Sequence, residues 1–247
     1  MIDLKSKREI EIIKENGKIV ADTLGFLGDK MRPGMKTREL DLLAERFIKR
    51  HKAIPAFKGY RGFPSNICVS INNEIVHGIP GERILKEGDL VSIDLGVLKD
   101  GYYADGAFTF PLGQVKVEVK ELIKVTQDAL DCGIQSAVAG RNLSDISHTI
   151  QSHVEKNGYS VVRDLVGHGI GKHMHEEPQV PNFGKPGEGP ILKEGMVLAI
   201  EPMVNSGSFE IKTLDDEWTI VTADGSLSAH FEHTIAITEN GALILTT

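Results

Sequence analysis

The sequence predicts an α+β protein built of two similar halves, each a pair of helices followed by mostly antiparallel strands. The chain says one thing twice: LKEGDLVSID (85–94) returns as LKEGMVLAIE (192–201). Each copy closes a Gly-punctuated apolar run on an acid, Asp94 and then Glu201, 107 residues apart. The turn signals PGMKTREL (33–40) and AGRNLSDI (139–146) recur at an offset of 106, and His77-Gly-Ile-Pro80 is echoed by His175-Glu-Glu-Pro178 at 98. In each copy helical apolar spacing gives way to period-two stretches, without the strict strand–helix alternation of a parallel sheet.

The elements follow in order. Ile10, Ile13, Ile19, Val20, Leu24 and Leu27 fall on one face of a helix over 5–30. MRPGM (31–35) stops it, and Thr37 is expected to cap a second helix reaching about residue 51. Strands are expected at 66–71, at 75–77 beyond an Asn72-Asn73 turn, and at 89–97. Lys99-Asp100-Gly101 turns the chain into 102–110, and Pro111 and Gly113 close the half. The second half repeats the order, with a helix over about 117–138, a turn at 139–143, and Ser144 capping a helix to about 157. Strands at 160–166, 196–201, 219–221 and 232–238 complete it, and the Pro/Gly-rich stretch 178–190 is expected to be an irregular loop. Halves that share a site form one body, so residues 1–247 are expected to be a single catalytic domain with halves of about 1–113 and 114–247.

Composition narrows the class. With 28 basic and 35 acidic residues the formal net charge is −7, and no basic cluster stands out, which argues against nucleic acid as the main partner. The N-terminal stretch is charged and lacks the apolar centre of a secretory signal. No run approaches 18 apolar residues, so no membrane span is expected. Two cysteines, Cys68 and Cys132, do not make a disulfide framework or a zinc ribbon, and a reduced, cytoplasmic protein is expected.

Strand alternation locates the chemistry. Asp94 shares a face with Ser92 and Gly96, away from Val91, Ile93 and Leu95. Glu201 stands with Ala199, Asp105 with Ala107 and Thr109, and Glu232 with His230, Thr234 and Ala236. Four acids therefore lie on the small-residue faces of strands whose other faces are apolar. Buried carboxylates are costly unless paired or metal-bound. VGHGIGKHMHEEP adds His168 and His175 among glycines at 167, 169 and 171, which argue against a helix. It is not H-E-x-x-H; Lys172 breaks a dinucleotide fingerprint and Val166 a P-loop. A strand end whose backbone approaches something closely remains. Asp94, Asp105, His168, Glu201 and Glu232 form an oxygen-rich set suited to two adjacent divalent cations, Fe²⁺, Mn²⁺, Co²⁺ or Zn²⁺.

At these residues the chain resembles the pita-bread metallopeptidases of family M24, and among them the type I methionine aminopeptidases. HGIP, IDLG…YYADGAFTF, GHGIGKHMHEEPQVPNFG, LAIEPM and FEHTIAI carry the resemblance, which spans nearly the whole chain. It implies the pita-bread fold, pseudo-two-fold, and removal of the N-terminal methionine from nascent polypeptides whose second residue is small. It implies that Asp94 chelates one metal, that Asp105 and Glu232 bridge, and that His168 and Glu201 complete the other site. Water or hydroxide between the metals would be the nucleophile and Glu201 its proton shuttle. His175 would stabilise the oxyanion, and His77 would assist substrate binding and proton handling. Tyr60, Phe63, Cys68, Met174 and Trp218 match the apolar methionine pocket, with Phe57 a further wall. Met174 departs from the aromatic residue that many members carry there. The implied partners are nascent polypeptide N-termini, including those at the ribosome, met by a monomer.

Three neighbouring readings fit less well. Proline-directed peptidases and creatine-type amidinohydrolases share the fold but carry a long N-terminal domain, for which the residues ahead of the first strands leave no room. Catalytically dead relatives lose ligands, and here all five are present. Type II enzymes carry a helical insertion between the second motif histidine and LAIEPM, whereas 25 residues separate His175 from Glu201.

Overall fold

In the computed structural model, which describes residues 2–247, helix α1 (Lys7–Lys30) begins at a reciprocal cap. Ser6 accepts the Glu9 N–H, and the Glu9 carboxylate accepts the Ser6 N–H at 2.8 Å. The six apolar residues of the expected stripe are all buried, which fixes this face against the sheet. Helix α2 (Thr37–Arg50) follows the Arg32–Met35 turn. Thr37 is its first residue and not its cap. Lys36 caps it, and its N–H is accepted by Glu39 at 2.8 Å.

Strands β1 (Ile54–Pro55), β2 (Cys68–Ile71), β3 (Glu74–Val76), β4 (Leu90–Lys99) and β5 (Tyr102–Pro111) complete the first half. Helices α3 (Val117–Ser136) and α4 (Leu143–Lys156) open the second. Asn142 caps α4, correcting the expected cap at Ser144. The expected strand 160–166 divides into β6 (Ser160–Val161) and β7 (Val166–Gly169). The stretch 178–190 is not wholly irregular, because β8 (Glu176–Pro181) pairs with β7 over its first residues. Then come β9 (Val197–Ile200), β10 (Met203–Asn205), β11 (Ile211–Thr213), β12 (Ile220–Thr222), β13 (Ser228–His230), β14 (Glu232–Thr238) and β15 (Gly241–Ile244).

The central sheet runs β1-β4-β5-β14-β9-β7-β8, with β2 also on β4 and β15 also on β14, and every pairing in it is antiparallel. It takes strands from both halves. One apolar cluster lies beneath α1 and α2, another beneath α3 and α4. The duplication reaches side-chain detail. The Thr37 hydroxyl accepts the Gly81 N–H at 2.8 Å, and the Ser144 hydroxyl accepts the Glu188 N–H at 2.7 Å. Lys36 bridges to Ile84 as Asn142 does to Ile191, tying each second helix to the approach of its LKEG turn.

Candidate active site

The sheet register decides which side chains meet. Cys68 faces Asp94 across β2 and β4, Asp94 faces Ala107 across β4 and β5, and Ala107 faces Glu232 across β5 and β14. These residues form one row on one face. The next row starts with Gly96 opposite Asp105, and continues through Thr234, Ala199 and His168. Thr234 joins its parts: its hydroxyl accepts the Asp105 N–H at 3.0 Å and donates to the Asp105 carbonyl at 2.8 Å. Ala107 and Ala199 keep side chains small between the acidic residues and His168, and bare Gly96 admits the Phe57 ring. Glu201 lies one residue beyond β9.

Asp105, His168 and Glu232 each offer a ligand atom within 4.8 Å of the others, and all three are buried. His168 Nε2 lies 3.6 Å from Glu201 Oε1. His168 Nδ1 lies 2.9 Å from the Gly169 carbonyl and donates to it, so the Nε2 lone pair faces the carboxylates. The glycines beside His168 serve the neighbouring strands: a side chain on Gly167 would strike the Ala199 carbonyl, and one on Gly169 the Glu177 carbonyl. The close approach read from the sequence is sheet packing, which seats the imidazole.

The electrostatics are those of a site made for cations. Burial lifts Asp94 well above the carboxylate range, and the charges of Asp105 and Glu201 add to it. Glu201 and Glu232 are raised for the same reasons, burial first. Asp105 is raised by burial to about 7. Among the described residues, Asp94 Oδ1 and Glu232 Oε1 are buried without a hydrogen-bond partner. Four such carboxyls and one neutral imidazole fit divalent cations with a preference for oxygen ligands.

The pH consequence has a definite sign. Asp105 has a folded value above its ordinary 3.8, so the stability of the protonated, metal-free fold is full below that value. It is lost as pH rises through about 7. Metal loading must displace that proton, so the proton release is expected to be larger at pH 6 than at pH 8. Titrating Mn²⁺ into metal-free protein, in buffers of different ionisation enthalpy, measures it. Release independent of pH would contradict the assignment.

Beside the carboxylates opens a cavity of about 290 Å³. Phe57, Phe63, Cys68 and Met174 form its buried apolar wall, with Tyr60 and Trp218 packed against them. Phe63 meets Phe57 and Trp218 edge-on, with centroids 6.5 and 5.1 Å apart. The structure thus places all five expected pocket residues and Phe57 on one chamber. His77 lines it with φ of 59°, a left-handed conformation that is costly outside glycine, and its ring meets Trp218 edge-on. His175 stands at the mouth, stacked on Tyr60, with Nδ1 2.7 Å from the Tyr60 hydroxyl and its ring centroid 4.2 Å from that of His168. Desolvation of its inner edge, then His168, Arg61 and His77, hold its pKa below the ordinary imidazole range.

Some lining residues were not anticipated. Val76, Leu165 and Met203 form part of the wall, with Arg61 and Asp164 also on the cavity. Val76 and Met203 come from the short strands β3 and β10 and the others from the connections between elements, where apolar residues look like any core. His230 is buried, with neither ring nitrogen hydrogen-bonded among the described residues, and its Nε2 is 3.9 Å from Glu201 Oε2. Its place on the Glu232 face was the available signal.

Comparison with known proteins gives this arrangement a lineage. The profile of metallopeptidase family M24 matches residues 11–239, and the chain belongs to that family. A methionine aminopeptidase of Clostridium perfringens is 55% identical over 246 residues, covering 100% of this chain and 99% of that protein. The crystal structure of the Rickettsia prowazekii methionine aminopeptidase superposes with a TM-score of 0.99 at 44% identity, over the full length of both chains. Within the family the chain therefore groups with the methionine aminopeptidases and shares their pita-bread fold. The prolidase of Pyrococcus horikoshii OT3 shares the fold at a TM-score of 0.81 and 25% identity, and this chain covers 63% of it. A metallopeptidase of this family with this ligand group uses divalent metal.

Proposed function

We propose that the chain removes methionine from the N-terminus of polypeptides whose second residue is small, by hydrolysis of the first peptide bond. The observation that carries this reading is the union, in one cavity, of a carboxylate-rich ligand group with an apolar aromatic–thioether chamber. The full-length likeness to methionine aminopeptidases supports it. The 1–113 and 114–247 halves act as one catalytic domain, since the central sheet draws strands from both.

Two divalent cations are assigned, drawn from Fe²⁺, Mn²⁺, Co²⁺ and Zn²⁺. Asp94 would help hold one, His168 and Glu201 the other, and Asp105 and Glu232 would serve both. Cations bound there supply Lewis acidity for the scissile carbonyl and acidify the attacking water. The residues do the rest. Phe57, Tyr60, Phe63, Cys68, Met174 and Trp218 enclose the methionine side chain, whose thioether suits a soft aromatic wall. Tyr60 donates to His175 Nδ1, which leaves Nε2–H to donate to the carbonyl oxygen as negative charge develops on it. His77 contacts the substrate amide. Glu201 accepts a proton as the water oxygen bonds to the carbonyl carbon, and delivers it to the leaving nitrogen as the C–N bond breaks. Free methionine and the shortened polypeptide result.

The substrates are nascent polypeptide N-termini, at or after emergence from the ribosome, which places the protein in the cytoplasm. The monomer is the acting unit, because both repeat-related half-sites come from one chain.

A peptide panel tests the reading. Metal-depleted protein given Mn²⁺ or Fe²⁺ is expected to cleave Met-Ala-Ser at least roughly 10³-fold faster than Ala-Pro-Ala, the discrimination expected of a filled apolar pocket and an oriented amide. Met-Leu-Ser should be slower than Met-Ala-Ser. Equal rates on Met-Ala-Ser and Ala-Pro-Ala would remove the methionine assignment.

A further inference from the structure

The segment ahead of α1 holds a buried charge that the mechanism above does not use. The side chain of Lys5 is 2% exposed and that of its partner Glu176 11%. An ammonium group taken out of water is costly unless its protons are all received. Here three acceptors surround it: the Asp3 carbonyl at 3.2 Å, the Asp3 carboxylate at 3.3 Å, and Glu176 Oε2. The Lys5 N–H donates to the Gly195 carbonyl at 2.7 Å, fastening this segment to the second LKEG turn.

Glu176 follows His175 directly, and what it holds is the turn 171–175. Its Oε1 accepts the His173 N–H at 3.0 Å. The Gly171 N–H donates to the His173 carbonyl at 3.1 Å, and the Tyr103 N–H of β5 donates to the Gly171 carbonyl at 2.8 Å. Lys5 Cε and Glu176 Oε1 pack directly on Gly171, in the space a Cβ there would take. On its inner side the turn presents Met174, 3% exposed among Phe57, Phe63 and Cys68, and then His175. It has no helix or strand of its own to hold these two side chains.

We propose that Lys5 is a positioning residue for the reaction: through Glu176 it sets the turn that aims His175 at the scissile carbonyl and closes the methionine chamber with Met174. This rests on the roles given above to His175 and Met174. A donor displaced by about 1 Å from the developing charge loses roughly 10²-fold in rate, so a brace one residue from His175 governs catalysis without touching substrate.

The test uses the metal-loaded full chain and the variants Lys5→Met, Lys5→Arg, Glu176→Gln and the double variant Lys5→Met/Glu176→Gln. Ile150→Val, in the core beneath α3 and α4, is the control for lost stability. Lys5→Met and Glu176→Gln are each expected to lower kcat roughly 10- to 100-fold with KM and metal stoichiometry little changed. The preference for Met-Ala-Ser over Leu-Ala-Ser should narrow by roughly 5-fold as the Met174 wall loosens. The double variant should be no worse than the single ones, and Lys5→Arg should recover part of the rate. Ile150→Val should alter neither kcat nor preference. The proposal is overturned if Lys5→Met keeps kcat within roughly twofold, or if its losses match those of Ile150→Val at equal loss of Tm. Should Lys5→Met not fold, Glu176→Gln decides by the same criteria. Full activity in His175→Ala would instead overturn the role of His175 and leave the brace without a catalytic purpose.

Discussion

Glu232→Gln and Asp105→Asn are each expected to give a folded chain that fails to load a full complement of metal and loses nearly 10⁴-fold in kcat/KM, about 5 kcal/mol of transition-state stabilisation. Both residues belong to the buried trio whose ligand atoms lie within 4.8 Å of one another. The substitutions keep volume while removing a charge that burial already disfavours. The metal-free variants should therefore be as stable as the metal-free parent. The difference appears on adding metal: at 100 times Kd the parent gains about 2.7 kcal/mol, several degrees in Tm, and the variants gain much less. Calorimetric titration with Mn²⁺ and thermal melts read both arms. Full activity with full metal content in either variant would sink the shared-ligand roles.

His175→Ala is expected to lower kcat by roughly two to four orders of magnitude, on the scale of a lost proton-transfer or oxyanion donor. Metal content should be unchanged, because His175 lies outside the ligand set even though its ring is 4.2 Å from that of His168. The same substitution leaves the Tyr60 hydroxyl without its partner at the mouth of the cavity. Tyr60→Phe therefore separates the two contributions, and its smaller loss should appear in kcat as well. A fall in bound metal parallel to the fall in activity would move His175 into the ligand set.

Why the ligands were legible in the sequence while their neighbours were not has a physical basis. A period of two tells which face a residue takes, and a duplicated strand end marks Asp94 and Glu201 as equivalent. Both are local properties. The register that puts Asp94, Ala107 and Glu232 in one row is a long-range property, visible only once β4, β5 and β14 pair. The helix caps failed for a related reason. Thr37 and Ser144 have the right chemistry to cap their own helices, but the Gly81 and Glu188 N–H groups, 44 residues away along the chain, take their hydroxyls. Lys5 is one charge among many in a charged N-terminal stretch, and nothing local marks it as buried. Met203, Leu165 and Val76 are apolar residues in an apolar setting, so only their place on the cavity distinguishes them. The pocket aromatics were legible through resemblance, whereas periodicity does not separate Phe63 from the core.

The proposed activity requires that carboxylates from two repeat-related halves, with His168, make one site for two cations. Crystals of the protein with Mn²⁺, measured above and below the manganese absorption edge, test it most directly. Two anomalous peaks are expected among Asp94, Asp105, His168, Glu201 and Glu232, with Asp105 and Glu232 reaching both. Peaks elsewhere in the chain, or a single ion that leaves Asp94 unligated, would contradict it.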